Sequence, residues 1–209
     1  AKSKWIKEGL YKNGRPKDGF KLIISKDTHS SVKTIAKVLD VDILIADTDE
    51  NGRMTGSSIK DLIKENEGIF AVVATTGTTN TGVIDDLKSI SKVCKKEDIW
   101  LHIDGAYGGA GLIAPSVRHL YEGIEDADSF IVDPHKWLFA PYDCCMLIYK
   151  SPQNVYSTFS QHAEYLDGVD HSETNPSDMA IHLSRRTRGL PLWYSLVTYG
   201  SDKYSQAVE

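Results

Sequence analysis

The chain has few cysteines, no long apolar run and no surplus of positive charge, and each shortage excludes a class of protein. Its three cysteines, Cys94, Cys144 and Cys145, make no disulfide framework, and none sits in a metal-ligand spacing, so no metal site is expected. Such thiol usage points to a reducing compartment, so a cytoplasmic location is expected. No apolar stretch approaches the length that crosses a bilayer, and the first residues carry no secretory-signal pattern. The formal net charge of −5 argues against a nucleic-acid surface. The lysines gathered near the start (Lys2, Lys4, Lys7, Lys12, Lys17) read as a solvated helix face followed by a loop. Internal repeats and low-complexity tracts are also missing.

What remains is the make-up of an ordinary soluble domain, 41% hydrophobic and 25% charged over 209 residues, enough to bury a substantial core. Both ends fall within helix-like patterns, so part of a longer polypeptide is expected.

Short apolar runs alternate with amphipathic ones. Residues 21–25, 43–46, 69–75, 99–103, 129–132 and 145–149 read as strands. Helical spacing runs from about Ser30 to Leu39 (Val32, Ile35, Ala36 and Leu39 on one face) and from about Thr55 to Glu65 (Ile59, Leu62 and Ile63 inward). A third helix, capped by Asp85 or Asp86, runs to about Lys96, and a fourth starts near Leu190 with Trp193, Leu196 and Val197. Continuously apolar strands between amphipathic helices predict an α/β fold, a mostly parallel sheet covered on both faces. Between Ser151 and Ser184 periodicity fades, and a long functional loop is expected there. Cys144 and Cys145, adjacent in an apolar run, are expected on opposite faces of the last strand.

In such sheets ligands bind beyond the carboxyl ends of the strands. Thr75, Asp104 and Lys136 are each placed just past such an end. A lysine amine can bond covalently to the aldehyde of pyridoxal phosphate as a Schiff base, and a carboxylate can keep the cofactor's pyridine nitrogen protonated. Asp104, in His102-Ile103-Asp104-Gly105-Ala106-Tyr107, and Lys136, in Val132-Asp133-Pro134-His135-Lys136-Trp137, supply that pair. The blander alternatives are a strand-end aspartate capping a helix and one surface lysine among 24 Lys and Arg residues.

Several segments together resemble the group II pyridoxal-phosphate-dependent amino-acid decarboxylases, especially those acting on aromatic L-amino acids. They are Thr28-His29-Ser30-Ser31, Val73 to Thr79, Trp100 to Tyr107, Ala127 to Phe130, Pro134 to Leu138, Tyr142-Asp143-Cys144 and Arg185-Arg186, in family order from about residue 20 to 200. The resemblance implies fold type I and a homodimer with active sites at the subunit interface. By this resemblance residues 1–209 form part of the cofactor-binding large domain, without the upstream phosphate loop and the C-terminal small domain, and residues 151–188 form a mobile catalytic loop region.

The same resemblance assigns roles. Lys136 would hold the cofactor, Asp104 would face its ring nitrogen, His29 would stack on the ring and Ala106 would lie against the opposite face. Thr75 would reach the phenolic oxygen or the phosphate, and His135 the phosphate or ring edge. Asp133 departs from the Asn of familiar aromatic decarboxylases, and a carboxylate has no proton to donate to phosphate. Tyr165, at an offset of 29 residues from Lys136, matches the catalytic-loop tyrosine that assists α-carbon protonation. His29 also reads as a helix-start residue among good capping neighbours, Tyr165 as one of 10 tyrosines, and Arg185, Arg186 and Arg188 as a basic cluster of open role.

The expected activity is therefore decarboxylation of an L-amino acid to its amine and carbon dioxide. The rivals are another fold type I enzyme (aldehyde synthase, desulfurase or carbon–carbon lyase) and a non-catalytic piece.

Overall fold

The structure is a computed structural model, and it describes residues 16–160 and 175–209. Six strands form one sheet: β1 (Lys21–Ser25), β2 (Asp42–Ala46), β3 (Ile69–Thr75), β4 (Trp100–Asp104), β5 (Ser129–Val132) and β6 (Met146–Tyr149). Their order is β2-β1-β3-β4-β5-β6. All neighbours run parallel except β6, which returns antiparallel to β5.

Helices α1 (Ser30–Val38), α2 (Gly56–Glu65) and α3 (Leu87–Lys96) connect the first four strands. Their starts follow local capping chemistry. Thr55 and Ser58 form a reciprocal capping box at α2, and Asp86 accepts the Ser89 N–H at α3. One sheet face buries Ile23, Val72, Ala74, Leu101 and Ile103 against Ile59 of α2 and Leu87, Ile90 and Cys94 of α3. Burying one such Leu or Ile contributes about 1.5–3 kcal/mol, so this face holds much of the fold's driving force. The other face carries Leu22, Ile24, Phe70, Ala71 and Val73, with Val32 of α1 and Trp100 against them.

The expected α/β sheet is present, with local differences. β4 begins and ends one residue later than its apolar run suggests, so Asp104 is its last residue rather than the first beyond it, while Thr75 closes β3. β6 starts at Met146, after both cysteines. Cys144 is nonetheless buried and Cys145 exposed, an opposition set by the preceding loop and not by strand pleating. The aperiodic 151–184 stretch contains a helix, α4 (Pro152–Phe159), and a short 3-10 helix at Pro176–Met179. Proline at the first turn of each starts a helix without help from hydrophobic spacing.

Cover on both faces is incomplete among the described residues. Ile35 of α1 and its C-cap Leu39 are exposed, as are Met146, Leu147 and Ile148 of the edge strand β6. The last helix, α5 (Gly189–Val208), bends at Gly200 and buries Leu192 and Tyr204, while Trp193, Leu196 and Val197 are exposed. Among the described residues no helix is long and apolar enough to cross a membrane.

At Gly77 the chain turns with φ +93°, and an added Cβ would lie 2.8 Å from the Gly108 Cα. Both conformation and space demand glycine there. Gly77→Ala should cost on the order of 1–3 kcal/mol of stability, read as a lowered urea midpoint. An unchanged midpoint would contradict the packing described here.

Candidate active site

Strand order fixes where the site lies. From β1 the chain leaves toward β2, and from β3 it leaves toward β4, so the two connections diverge and open a crevice at the carboxyl ends of β1 and β3. A cleft of about 260 Å³ occupies that crevice and continues across β4 and β5. It is lined by Asp27, His29 and Ser31 after β1, by Thr75 and Gly77 to Thr79 after β3, and by His102, Asp104, Ala106 and Tyr107 around β4. Ile131, Asp133 and Lys136 complete it from β5 and the turn that follows.

Parallel register sets the floor. Thr75 pairs with Asp104 and Asp104 with Ile131, so these three side chains stand in one row on one face. The row behind is Val73, His102 and Ser129. There His102 Nδ1 lies 2.8 Å from Ser129 Oγ, which also accepts the Trp100 Nε1–H at 2.9 Å. Burial pushes His102 below the usual histidine value, partly opposed by Asp104, and this favours a neutral imidazole under the floor. His102 was not singled out in the sequence, although its two-residue offset from Asp104 put both on one strand face.

Asp104 accepts the Ala106 N–H at 3.0 Å, which fixes the carboxylate and brings the small Ala106 to the cleft wall. Thr75 is 4% exposed and, among the described residues, its Oγ1 has no hydrogen-bond partner, which leaves a buried hydroxyl at the floor. A buried polar atom without a partner is costly, so its presence in a cleft points to a ligand that completes it. His29 sits at the start of α1 beside the cleft. It is the N-cap of α1, its Nδ1 accepting the Ser31 N–H at 3.3 Å, and its ring lines the cleft.

Lys136 reaches the cleft from the turn after β5, closed by the Lys136 N–H donating to the Asp133 carbonyl at 2.9 Å. Its Nζ lies 2.8 Å from Asp133 Oδ2. His135 departs from expectation. It does not line the cleft; its Nδ1 lies 2.6 Å from the Cys144 carbonyl oxygen, and its ring meets Tyr142 edge-on. The Cys144 backbone holds Nδ1, a constraint no local motif shows, while Nε2 lies 4.0 Å from Asp133 Oδ2. Partial burial of its sulfur and the nearby Asp133 charge push the Cys145 thiol up to about 12, unlike an activated nucleophile.

Asp143 accepts from Arg186 and, at 2.9 Å, from Arg188 Nε, and the hydrogen bond from Arg188 holds its carboxyl below the usual range. Two of the three arginines thus tie the segment before α5 to the Lys136 loop, while Arg185 donates to the Pro176 and His182 carbonyls. Tyr165 lies outside the described residues.

The sequence offered Asp85 only as a helix cap, and Asp86 takes that role. Asp85 is 3% exposed and accepts the Thr75 N–H at 2.8 Å and the Met54 N–H at 2.7 Å, bracing the end of β3 from beneath. Its two backbone donors are far apart in sequence, so only the folded chain reveals them.

An open α/β sheet with a lysine, a carboxylate and a buried hydroxyl lining one crevice at its switch point defines the class: an α/β protein with a ligand-binding crevice at the carboxyl ends of its strands. Comparison with known proteins narrows it. Residues 1–209 match the pyridoxal-dependent decarboxylase conserved domain, and the chain belongs to that family. It is 37% identical over 195 residues to an aromatic-L-amino-acid decarboxylase of Bacillus atrophaeus, covering 88% of this chain and 41% of that protein. The structure of Oryza sativa TDC with PLP and tryptamine superposes with TM-score 0.90 at 25% identity, covering 98% of this chain and 44% of that one. That of Rhodiola rosea 4-hydroxyphenylacetaldehyde synthase gives 0.85 at 27% identity, covering 99% and 44%. The chain therefore spans less than half the length of these relatives.

Burial raises Asp85 from 3.8 to about 6, against the pull of its two N–H donors and with help from Asp27 and Asp49. Between those values the folded state keeps a proton that the unfolded state has released, so the Asp85 contribution to stability falls as pH rises through the window. Urea midpoints of wild type and Asp85→Asn, measured from below 3.8 to above 6, should show this downward contribution only in wild type. Parallel pH profiles would contradict the assignment.

Proposed function

We propose that the protein of which this chain is part decarboxylates an L-amino acid, aromatic ones foremost, to the amine and carbon dioxide, using pyridoxal phosphate held in the cleft. The convergence of Lys136, Asp104 and the unpartnered Thr75 hydroxyl in one switch-point cleft carries this reading. The donor set fits the cofactor. Lys136 supplies the amine for the aldehyde, Asp104 an anion for the pyridine nitrogen, and Thr75 a hydroxyl for the phenolic oxygen or phosphate. His29 supplies a ring to stack, and Ala106 leaves room on the opposite side.

When bound, the cofactor supplies an electron sink for the pair left behind as carbon dioxide departs. The chain's residues do the rest. Asp104, fixed by the Ala106 N–H, holds a negative charge against the ring nitrogen, and an opposite charge there favours the protonated form. The neutral His102 beneath brings no competing cation to that carboxylate. His29, pinned by its capping bonds, orients the ring against the cleft wall. Tyr165, from the proposed catalytic loop of residues 151–188, delivers the proton to the α-carbon.

A second reading, oxidative deamination to the aldehyde, in which dioxygen takes two electrons and leaves as hydrogen peroxide beside ammonia and carbon dioxide, is favoured by the likeness to the Rhodiola synthase. The tyrosine at position 165 favours the amine product, since relatives with phenylalanine there tend toward aldehydes. The homodimer with interfacial sites is part of the same proposal. It is supported by the exposed apolar residues Trp193, Tyr194, Val197 and Tyr199 of α5. A reducing, cytoplasmic setting is supported by the three free thiols.

In the full-length protein, Lys136→Ala should abolish the visible absorbance of the bound cofactor and reduce amine formation to background. Full turnover in that variant would end the proposal. Tyr165→Phe should shift product from amine toward aldehyde and ammonia, read by chromatography and an ammonia assay. An unchanged product ratio would remove Tyr165 from the protonation step.

A further inference from the structure

We infer that Asp133 is the resting counter-ion of Lys136: the carboxylate that holds the lysine's ammonium at the cleft mouth whenever that amine is not bonded to a cofactor. The inference rests on the proposed cofactor role of Lys136 and adds what that reading leaves open, namely where the amine sits before capture and after substrate displaces it.

The geometry is specific. Asp133 Oδ2 lies 2.8 Å from Lys136 Nζ, the shortest range for a charge-assisted bond. Residues 133 and 136 are the two ends of one turn, closed by the Lys136 N–H on the Asp133 carbonyl, so the backbone sets the separation of the two charges. The Asp133 side chain is only 14% exposed, against 40% for Lys136, so the anion is anchored and the lysine is the partner free to move. A further contact steadies the carboxylate: His135 Nε2 lies 4.0 Å from Oδ2. Aspartate cannot donate to a phosphate as asparagine would, so at this position it suits the lysine better than the cofactor's anion.

The chemical consequence follows from where the lone pair is. An ammonium held on a carboxylate offers no lone pair to a carbonyl carbon. To bond to an aldehyde, the nitrogen must give up two protons, both ending on the carbonyl oxygen as it leaves as water. Asp133 Oδ2 can take the first and pass it on, and it finishes as a carboxylate beside the cation that forms. The same carboxylate receives the ammonium back when a substrate amine takes over the aldehyde.

The test uses cofactor-free full-length protein and an amine-acylating reagent, with Lys136 modification followed by peptide mass spectrometry and normalised to the exposed Lys60. Asp133→Asn should raise the relative rate at Lys136 by about tenfold, through loss of the charge-assisted hydrogen bond that otherwise holds the amine. Asp133→Glu, which keeps the anion, should return it toward wild type. A purely structural role for Asp133 would leave the normalised rate unchanged in the Asn variant, or alter it equally in both, and either result overturns the inference. A parallel arm adds pyridoxal phosphate to wild type. Protection of Lys136 together with an unchanged Asn rate would sink this inference alone, whereas no protection would sink the cofactor reading beneath it.

Discussion

Parallel register across β3, β4 and β5 is the constraint on which the site depends. Because parallel neighbours align residues on the same face, Thr75, Asp104 and Ile131 are forced into one row at the sheet's carboxyl edge. A slip of one residue in β4 would send Asp104 into the apolar layer that holds Leu101 and Ile103. That layer is among the best-buried parts of the chain, so the hydrophobic effect that builds the fold also keeps the carboxylate in the cleft. Chemistry and stability are coupled through strand parity.

Beneath the floor, polar groups are satisfied in a way that steers the cleft. Ser129 accepts from Trp100 and bonds to His102, and burial favours the neutral form of His102. Asp85 ties the end of β3 to the segment entering α2 through two backbone N–H groups. With those bonds in place, the Thr75 side chain is left, among the described residues, as the buried hydroxyl without a partner at the cleft floor. A cleft that leaves such an atom unsatisfied has a polar contact to offer a ligand.

The elements that were readable from the chain are those in which a local pattern and a tertiary role coincide. β3 is apolar throughout and fully buried, and its limits came directly from its residues. β6 is just as apolar, yet its residues are exposed, because at the edge it has a single neighbour and no described element lies over it. α4 was missed because its start depends on Pro152 rather than on periodicity. His135 was assigned to the cofactor by its neighbours in the motif, but the Cys144 backbone claims its ring. Asp85 was missed as a brace because its partners, Thr75 and Met54, are distant along the chain.

From the linear chain come the α/β class and a lysine and a carboxylate near strand ends. Each of these rests on residue type and short-range spacing, which folding does not alter. Only the assembled sheet decides that those residues meet: strand order opens the crevice between β1 and β3, and register sets the floor. The assembled turn likewise pairs Lys136 with Asp133 and brings His135 onto the Cys144 backbone. Contacts between distant segments depend on how helices and strands pack, and that packing is a property of the whole chain.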